Sequence, residues 1–130
     1  MTARAFITGL SGLTVTSEER AFLRAAQPWG LILFKRNVSS PEQISALVDD
    51  FRALVGRADA PVLIDQEGGR VQRLGPPVWP AYPPGAAYGR LYDRDQRLGL
   101  SAAELGARGR DPDLAEIDSR GLAGLSVLDR

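Results

Sequence analysis

The chain has 130 residues, enough for one ordinary domain, and its 16 basic and 16 acidic residues cancel. That balance excludes the broad positive surface that holds nucleic acid or anionic membrane. With neither cysteine nor histidine, the sequence also excludes disulfides, thiolate metal sites and imidazole acid–base chemistry.

The N-terminus has no long apolar leader, and no stretch nears the roughly 20 apolar residues that span a bilayer. A soluble, cytoplasmic protein is the expectation. Ala5 to Leu10 (A-F-I-T-G-L) reads as a first strand closed by Gly9, Ser11 and Gly12. Thr16 or Ser17 can cap a helix carrying Glu18 and Glu19 in its first turn, where negative charge is favoured. Ala21, Phe22, Ala25 and Ala26 give it an apolar face, and Pro28 stops it. Trp29 to Phe34 (W-G-L-I-L-F) is a continuous apolar run, the mark of a strand covered on both faces, with Trp29 and Phe34 expected in the core. It ends on Lys35, which is expected to face solvent, Arg36 and Asn37.

Ser40 as N-cap, Pro41 at the first helical position and Gln43 placed for a capping box start a second helix. Ile44, Leu47, Val48, Phe51, Leu54 and Val55 follow at helical spacing, and Gly56 ends the run. Val62, Leu63 and Ile64 form a third apolar strand behind Pro61. The order βαβαβ predicts a parallel sheet with right-handed crossovers. Gly75 to Gly85 (G-P-P-V-W-P-A-Y-P-P-G) is too proline-rich for regular structure. A helix resumes near Asp95 and runs through Ala107. Beyond Gly109 the pattern weakens, and Leu122 to Leu128 is only a weak strand pattern.

The chemistry concentrates in I-D-Q-E-G-G-R-V-Q-R-L, Ile64 to Leu74. A buried strand ending on Asp65, Glu67, Arg70 and Arg73 must emerge at a polar site, because unpaired buried charge is costly. In α/β folds such sites lie beyond the carboxyl ends of parallel strands. Asp65 could accept hydrogen bonds from adjacent hydroxyls of a sugar, and Arg73 could donate in a fixed fork. Gly68-Gly69 would let backbone approach a ligand closely, and Trp79, Tyr82 and Tyr88 could offer apolar faces to a pyranose. The plainer alternative is that Asp65 and Arg73 pair with each other and simply fix the loop. A catalytic Asp65/Glu67 carboxylate pair, about 5–5.5 Å apart as retaining glycosidases require, is weaker, since Glu67 beside Arg70 could be a structural ion pair. Anion capture by the glycine pair is weaker still, because the GxGxxG and GxxxxGK[ST] spacings are absent.

Taken together, G-L-I-L-F-K-R-N (Gly30 to Asn37), S-P-E-Q (Ser40 to Gln43), I-D-Q-E-G-G-R-V-Q-R-L and the following P-P-V-W-P-A-Y-P-P-G-A-A-Y-G resemble the amino-terminal part of family 3 glycoside hydrolases. Within that family the closest likeness is to bacterial β-N-acetylhexosaminidases that recycle peptidoglycan. The likeness covers about Phe6 to Arg108. It implies the first three or so βα units of a (β/α)8 barrel. The implied reaction is hydrolysis of terminal β-linked N-acetylglucosamine from muropeptide fragments, with retention and without cofactor or metal. The implied sugar contacts are Asp65 and Arg73, with Gly68 and Gly69 shaping the loop and Glu67, Arg70 and Asn37 as supporting positions. The family's nucleophile is an aspartate far downstream, and its acid/base is a histidine. Neither is matched here, so no catalytic residue is assigned and the chain alone is expected to be inactive. Residues 1–108 are assigned to the barrel domain. Residues 109–130 (starting G-R-D-P-D-L) are unlike the family, as a frameshift or truncated reading frame would produce. The alternatives are a non-catalytic sugar-binding or regulatory module, and an interaction subunit completed by a partner chain.

Overall fold

The computed structural model describes residues 2–110. The atypical tail from Asp111 onward, with the weak strand expected at Leu122–Leu128, lies outside the described residues. Two compact units divide the chain after Ile64, and each has its own packing.

The first unit carries β1 (Arg4–Thr8), α1 (Ser17–Ala26), β2 (Pro28–Leu33), a single 3-10 turn (Lys35–Asn37), α2 (Pro41–Val55) and β3 (Val62–Ile64). The strands form a parallel sheet in the order β1-β2-β3, as the βαβαβ pattern requires. Residues in register across a parallel pair share a face. Leu31 pairs with Val62 and Leu33 with Ile64, and all four are buried. On the other face Ile7 pairs with Gly30 and Ile32 with Leu63. There Ile7 is exposed, and Ile32 and Leu63 are only half-buried. α1 and α2 pack on each other and are tied at the surface by Arg20 and Asp50, 2.6 Å apart. Leu23 from α1, with Ile44, Leu47, Val48 and Phe51 from α2, completes the core. The covered face is thus the one that fully buries its strand residues, and the opposite face stays partly bare.

Helix ends follow the chemistry of the sequence. Thr16 caps α1 in a full capping box with Glu19. α1 stops before Pro28 through Gln27, which takes the left-handed conformation at φ 49°. Ser40 caps α2 by accepting from the Gln43 amide. The Gln43 side chain reaches back to the Ser39 amide, one residue earlier than a capping box would place it. Gly56 closes α2 at φ 65°. Trp29 departs from expectation: at the start of β2 it is exposed, although the strand's later residues Leu31 and Leu33 are core.

The second unit contains a small antiparallel hairpin, β4 (Gln66–Gly68) and β5 (Val71–Gln72), then α3 (Gly85–Arg94) and α4 (Gln96–Arg110). Neither the hairpin nor α3 was expected from the sequence pattern. α3 opens G-A-A-Y-G behind Pro84, with glycine at two of its first five positions, and packs closely on α4. A Cβ on Gly99 would lie 2.4 Å from the Tyr92 Cα, and one on Gly106 would lie 2.2 Å from the Tyr88 hydroxyl. Only hydrogen at these two positions permits so close an approach. Asp95 ends α3 and caps α4, its carboxylate accepting from the Leu98 amide at 2.9 Å. The expected helix near Asp95 is therefore α4, and it continues through Gly109 to Arg110.

The described residues form an open three-stranded parallel sheet and contain no closed barrel. None of their helices is long and apolar enough to cross a membrane.

Candidate functional site

The site begins where β3 ends. Burial alternates without a break from Val62 to Gly68: Val62, Ile64, Gln66 and Gly68 are buried, whereas Leu63, Asp65 and Glu67 are partly or wholly exposed. The two-residue period of the strand thus continues past its last apolar residue, turning Gln66 inward and Asp65 outward. Arg73 follows the return strand β5, and its Nη2 donates to the Asp65 Oδ2 at 3.0 Å. Asp65 and Arg73 therefore do pair, in a partly exposed setting: 41% of the Asp65 side chain and 25% of the Arg73 side chain remain accessible. Such a pair places an acceptor and a planar donor side by side, the combination that grips vicinal hydroxyls.

Two glutamines that the sequence reading did not single out hold this arrangement. Gln66 is 5% exposed. Its Oε1 accepts from the amides of Arg73 at 3.1 Å and Leu74 at 3.0 Å, and its Nε2 donates to the Leu74 carbonyl at 2.8 Å. Gln72 donates to the same Leu74 carbonyl at 2.7 Å and to the Pro80 carbonyl at 2.6 Å, and accepts from the Tyr82 amide at 2.9 Å. The signal for Gln66 lay in strand parity, since it stands two residues beyond buried Ile64.

Gly68 and Gly69 sit at φ 88° and φ 61°, a conformation that L side chains rarely adopt. Their open side is occupied by the proline-rich loop and not by empty space. A Cβ on Gly68 would lie 2.3 Å from the Pro83 carbonyl oxygen, and one on Gly69 would lie 2.9 Å from the Pro84 Cβ. The Gly69 amide donates to the Tyr82 carbonyl at 2.8 Å. The pair therefore seats residues 82–84 against the hairpin, and the close backbone approach it permits here is to the proline-rich loop. Trp79 also departs from expectation as a sugar platform, because it is 8% exposed and packed inside. Tyr82 and Tyr88 are half-buried, and Glu67 and Arg70 are both exposed on the hairpin.

Asn37 belongs to the first unit and is wholly buried. Its amide donates to the Leu10 carbonyl at 3.0 Å and the Gly12 carbonyl at 2.8 Å, and accepts from the Phe34 amide at 2.9 Å. Every hydrogen of its amide is thus spent on the β1–α1 loop, so it cannot meet a ligand directly. Arg36 reinforces the same loop: its Nε donates to the Leu10 carbonyl at 2.8 Å while its guanidinium lies 4.7 Å over the Phe34 ring. Glu19 holds the loop's far end, accepting from the amides of Ser11 at 2.7 Å and Thr16 at 2.8 Å. Burial disfavours the Glu19 charge, but the hydrogen bonds from Thr16 and Ser11 outweigh it and hold the carboxyl below its ordinary value. Among the described residues no group of three or more acidic side chains is placed to hold a metal ion.

No protein-family model matches the sequence. Individual relatives do. A beta-hexosaminidase of Alkalilimnicola ehrlichii is 45% identical over 87 residues, covering 67% of this chain and 24% of that protein. A beta-hexosaminidase of Xanthomonas axonopodis pv. citri is 34% identical over 135 residues, covering 95% of this chain and 39% of that protein. Among solved structures, NagZ from Neisseria gonorrhoeae in complex with N-trifluoroacetyl-D-glucosamine superimposes with a TM-score of 0.78 at 26% identity, covering 92% of this chain and 35% of that one. The chain therefore spans well under half the length of the relatives it matches. By sequence and by fold, it is similar to part of these β-N-acetylhexosaminidases.

Proposed function

We propose that this chain supplies the saccharide-contact portion of a retaining glycoside hydrolase that removes terminal β-linked N-acetylglucosamine from peptidoglycan fragments. One observation carries the reading: the carboxylate of Asp65, at the end of a buried parallel strand, is bonded at 3.0 Å to Arg73 while both remain partly accessible. Asp65 accepts from two neighbouring hydroxyls of the non-reducing sugar, and Arg73 donates to the same ring. The three parallel strands and their two helices stand for the first three βα units of an eight-stranded barrel. The solved relative bound to N-trifluoroacetyl-D-glucosamine supports the choice of sugar. Catalysis needs the aspartate nucleophile and histidine acid/base that the family resemblance implies, and this sequence has no histidine. The 130 residues alone thus bind sugar without cleaving it.

A monosaccharide of this size supports about −4 kcal/mol of binding, a dissociation constant on the order of 1 mM. Calorimetric titration with N-acetylglucosamine should give saturable heat in that range, lost in Asp65→Ala and Arg73→Ala. Absence of heat in the wild-type chain, or equal heat in all three, would refute the site. An aryl β-N-acetylglucosaminide should not be turned over by the pure chain.

A second reading, as an interaction subunit, is favoured by the bare sheet face. Ile7, Ile32 and Leu63 line it, and among the described residues β1 and β3 each pair on one side only. Parallel sheets normally have both faces covered, and open edges recruit further strands. In this reading a partner chain supplies the missing strands. Purification of the 130 residues as a stable monodisperse monomer would argue against it.

A further inference from the structure

Gln66 is covalently adjacent to Asp65, yet its side chain bonds to the backbone of Arg73 and Leu74. It is therefore joined to one member of the pair by the chain and to the other by its side chain. Arginine has a long side chain with many rotamers, so where its guanidinium ends up depends on where its backbone is fixed. The backbone under Arg73 is gripped through two amides and one carbonyl, and that carbonyl is gripped a second time by Gln72. A side chain that is 5% exposed cannot itself reach a ligand.

We infer that Gln66 is a positioning residue for saccharide binding: it sets the backbone beneath Arg73 so that the guanidinium meets Asp65 and the two present one donor–acceptor face to the sugar. This rests on the saccharide reading given above. Gln66 takes no part in the contact with sugar and acts wholly through Arg73. Because the amide is buried, losing its bonds leaves unsatisfied groups that water cannot reach, so the hairpin must loosen or shift. A shift of a fraction of a bond length at Arg73 is enough to separate two groups that now meet at 3.0 Å.

The test compares wild type, Gln66→Met and Gln66→Glu. Methionine keeps the length of the side chain and removes its hydrogen bonds to Arg73 and Leu74. Glutamate keeps the oxygen that accepts from the Arg73 and Leu74 amides. N-acetylglucosamine should bind Gln66→Met about tenfold more weakly than wild type, and Gln66→Glu within about threefold of it. In parallel, NMR should find the Arg73 guanidinium protons hydrogen-bonded in wild type and Gln66→Glu but averaged by solvent exchange in Gln66→Met. The amides of Leu31 and Val62 should stay protected in all three. Unchanged affinity with an unchanged guanidinium signal in Gln66→Met overturns the inference, and so does a fall in melting temperature without any change at the guanidinium. If wild type takes up no sugar, the saccharide reading fails, while the guanidinium signal still decides whether Gln66 positions Arg73. Should Gln66→Met not fold, Gln66→Asn, one methylene too short to span to Leu74, carries the same expectation.

Discussion

Replacing Gly68 with alanine tests how tightly the hairpin and the proline-rich loop form one piece. At φ 88° an alanine pays for a left-handed backbone, about 1–2 kcal/mol. Its Cβ would also fall 2.3 Å from the Pro83 carbonyl oxygen and 3.0 Å from the Pro83 carbonyl carbon. Both neighbours are backbone, so no side chain can swing away, and the loop has to move by close to an ångström. That movement breaks the bond from the Gly69 amide to the Tyr82 carbonyl and strains those from Gln72 to the Pro80 carbonyl and from the Tyr82 amide to Gln72. Each lost bond costs about 1 kcal/mol, so the total comes to about 3 kcal/mol. In a domain of this size that lowers the melting temperature by about 10 °C. Gly85→Ala is the matched control, because a Cβ there meets nothing within 4 Å at the start of α3. It should be neutral or stabilising by up to about 1 kcal/mol. Thermal melts with hydrogen exchange over residues 65–84 report both. A Gly68→Ala protein as stable as wild type, with the loop amides still protected, would refute the packing account of the glycine pair.

Two further outcomes follow from the first unit. Asn37→Ala strands the Gly12 carbonyl and the Phe34 amide and leaves the Leu10 carbonyl to Arg36, and should destabilise by about 2–4 kcal/mol in urea denaturation, with fast exchange confined first to the β1–α1 loop. An effect below about 0.5 kcal/mol would show that water replaces the amide. For Glu19 the folded carboxyl lies below its ordinary value of 4.5, so its contribution is present above that value and is lost as pH falls through the folded one. The stability gap between wild type and Glu19→Gln should therefore be constant near neutral pH and narrow in acid. A gap that holds or widens in acid contradicts the assignment.

The three strands, α1 and α2 were legible because their signals are local: apolar runs of strand length, serine and threonine caps, and a glycine stop. Trp29 was misplaced because an apolar run says nothing about where the sheet's cover ends, and this residue stands at the exposed start of β2. α3 was hidden because Pro84, Gly85 and Gly89 argue against helix, and its reason for forming lies in its close fit to Gly99 and Gly106 far along the chain. In the site, Asp65 and Arg73 stood out as charges beyond a buried strand, but residue types cannot say whether they pair or face apart. Gln66 carried a readable sign, the continued alternation after Ile64, and it was passed over because glutamine in a polar stretch looks unremarkable. Asn37 was noted as polar, yet nothing local shows that its partners would be Leu10 and Gly12, more than twenty residues earlier.

The central claim is that the hairpin bearing Asp65 and Arg73 is a saccharide site. Its most direct test is an NMR titration of the nitrogen-15-labelled 130-residue chain with N-acetylglucosamine, repeated on Asp65→Ala. The account predicts saturable shifts centred on the amides of residues 65–74 and the Arg73 guanidinium, with no such response in Asp65→Ala. Shifts absent altogether, centred elsewhere, or unchanged by the substitution would contradict it.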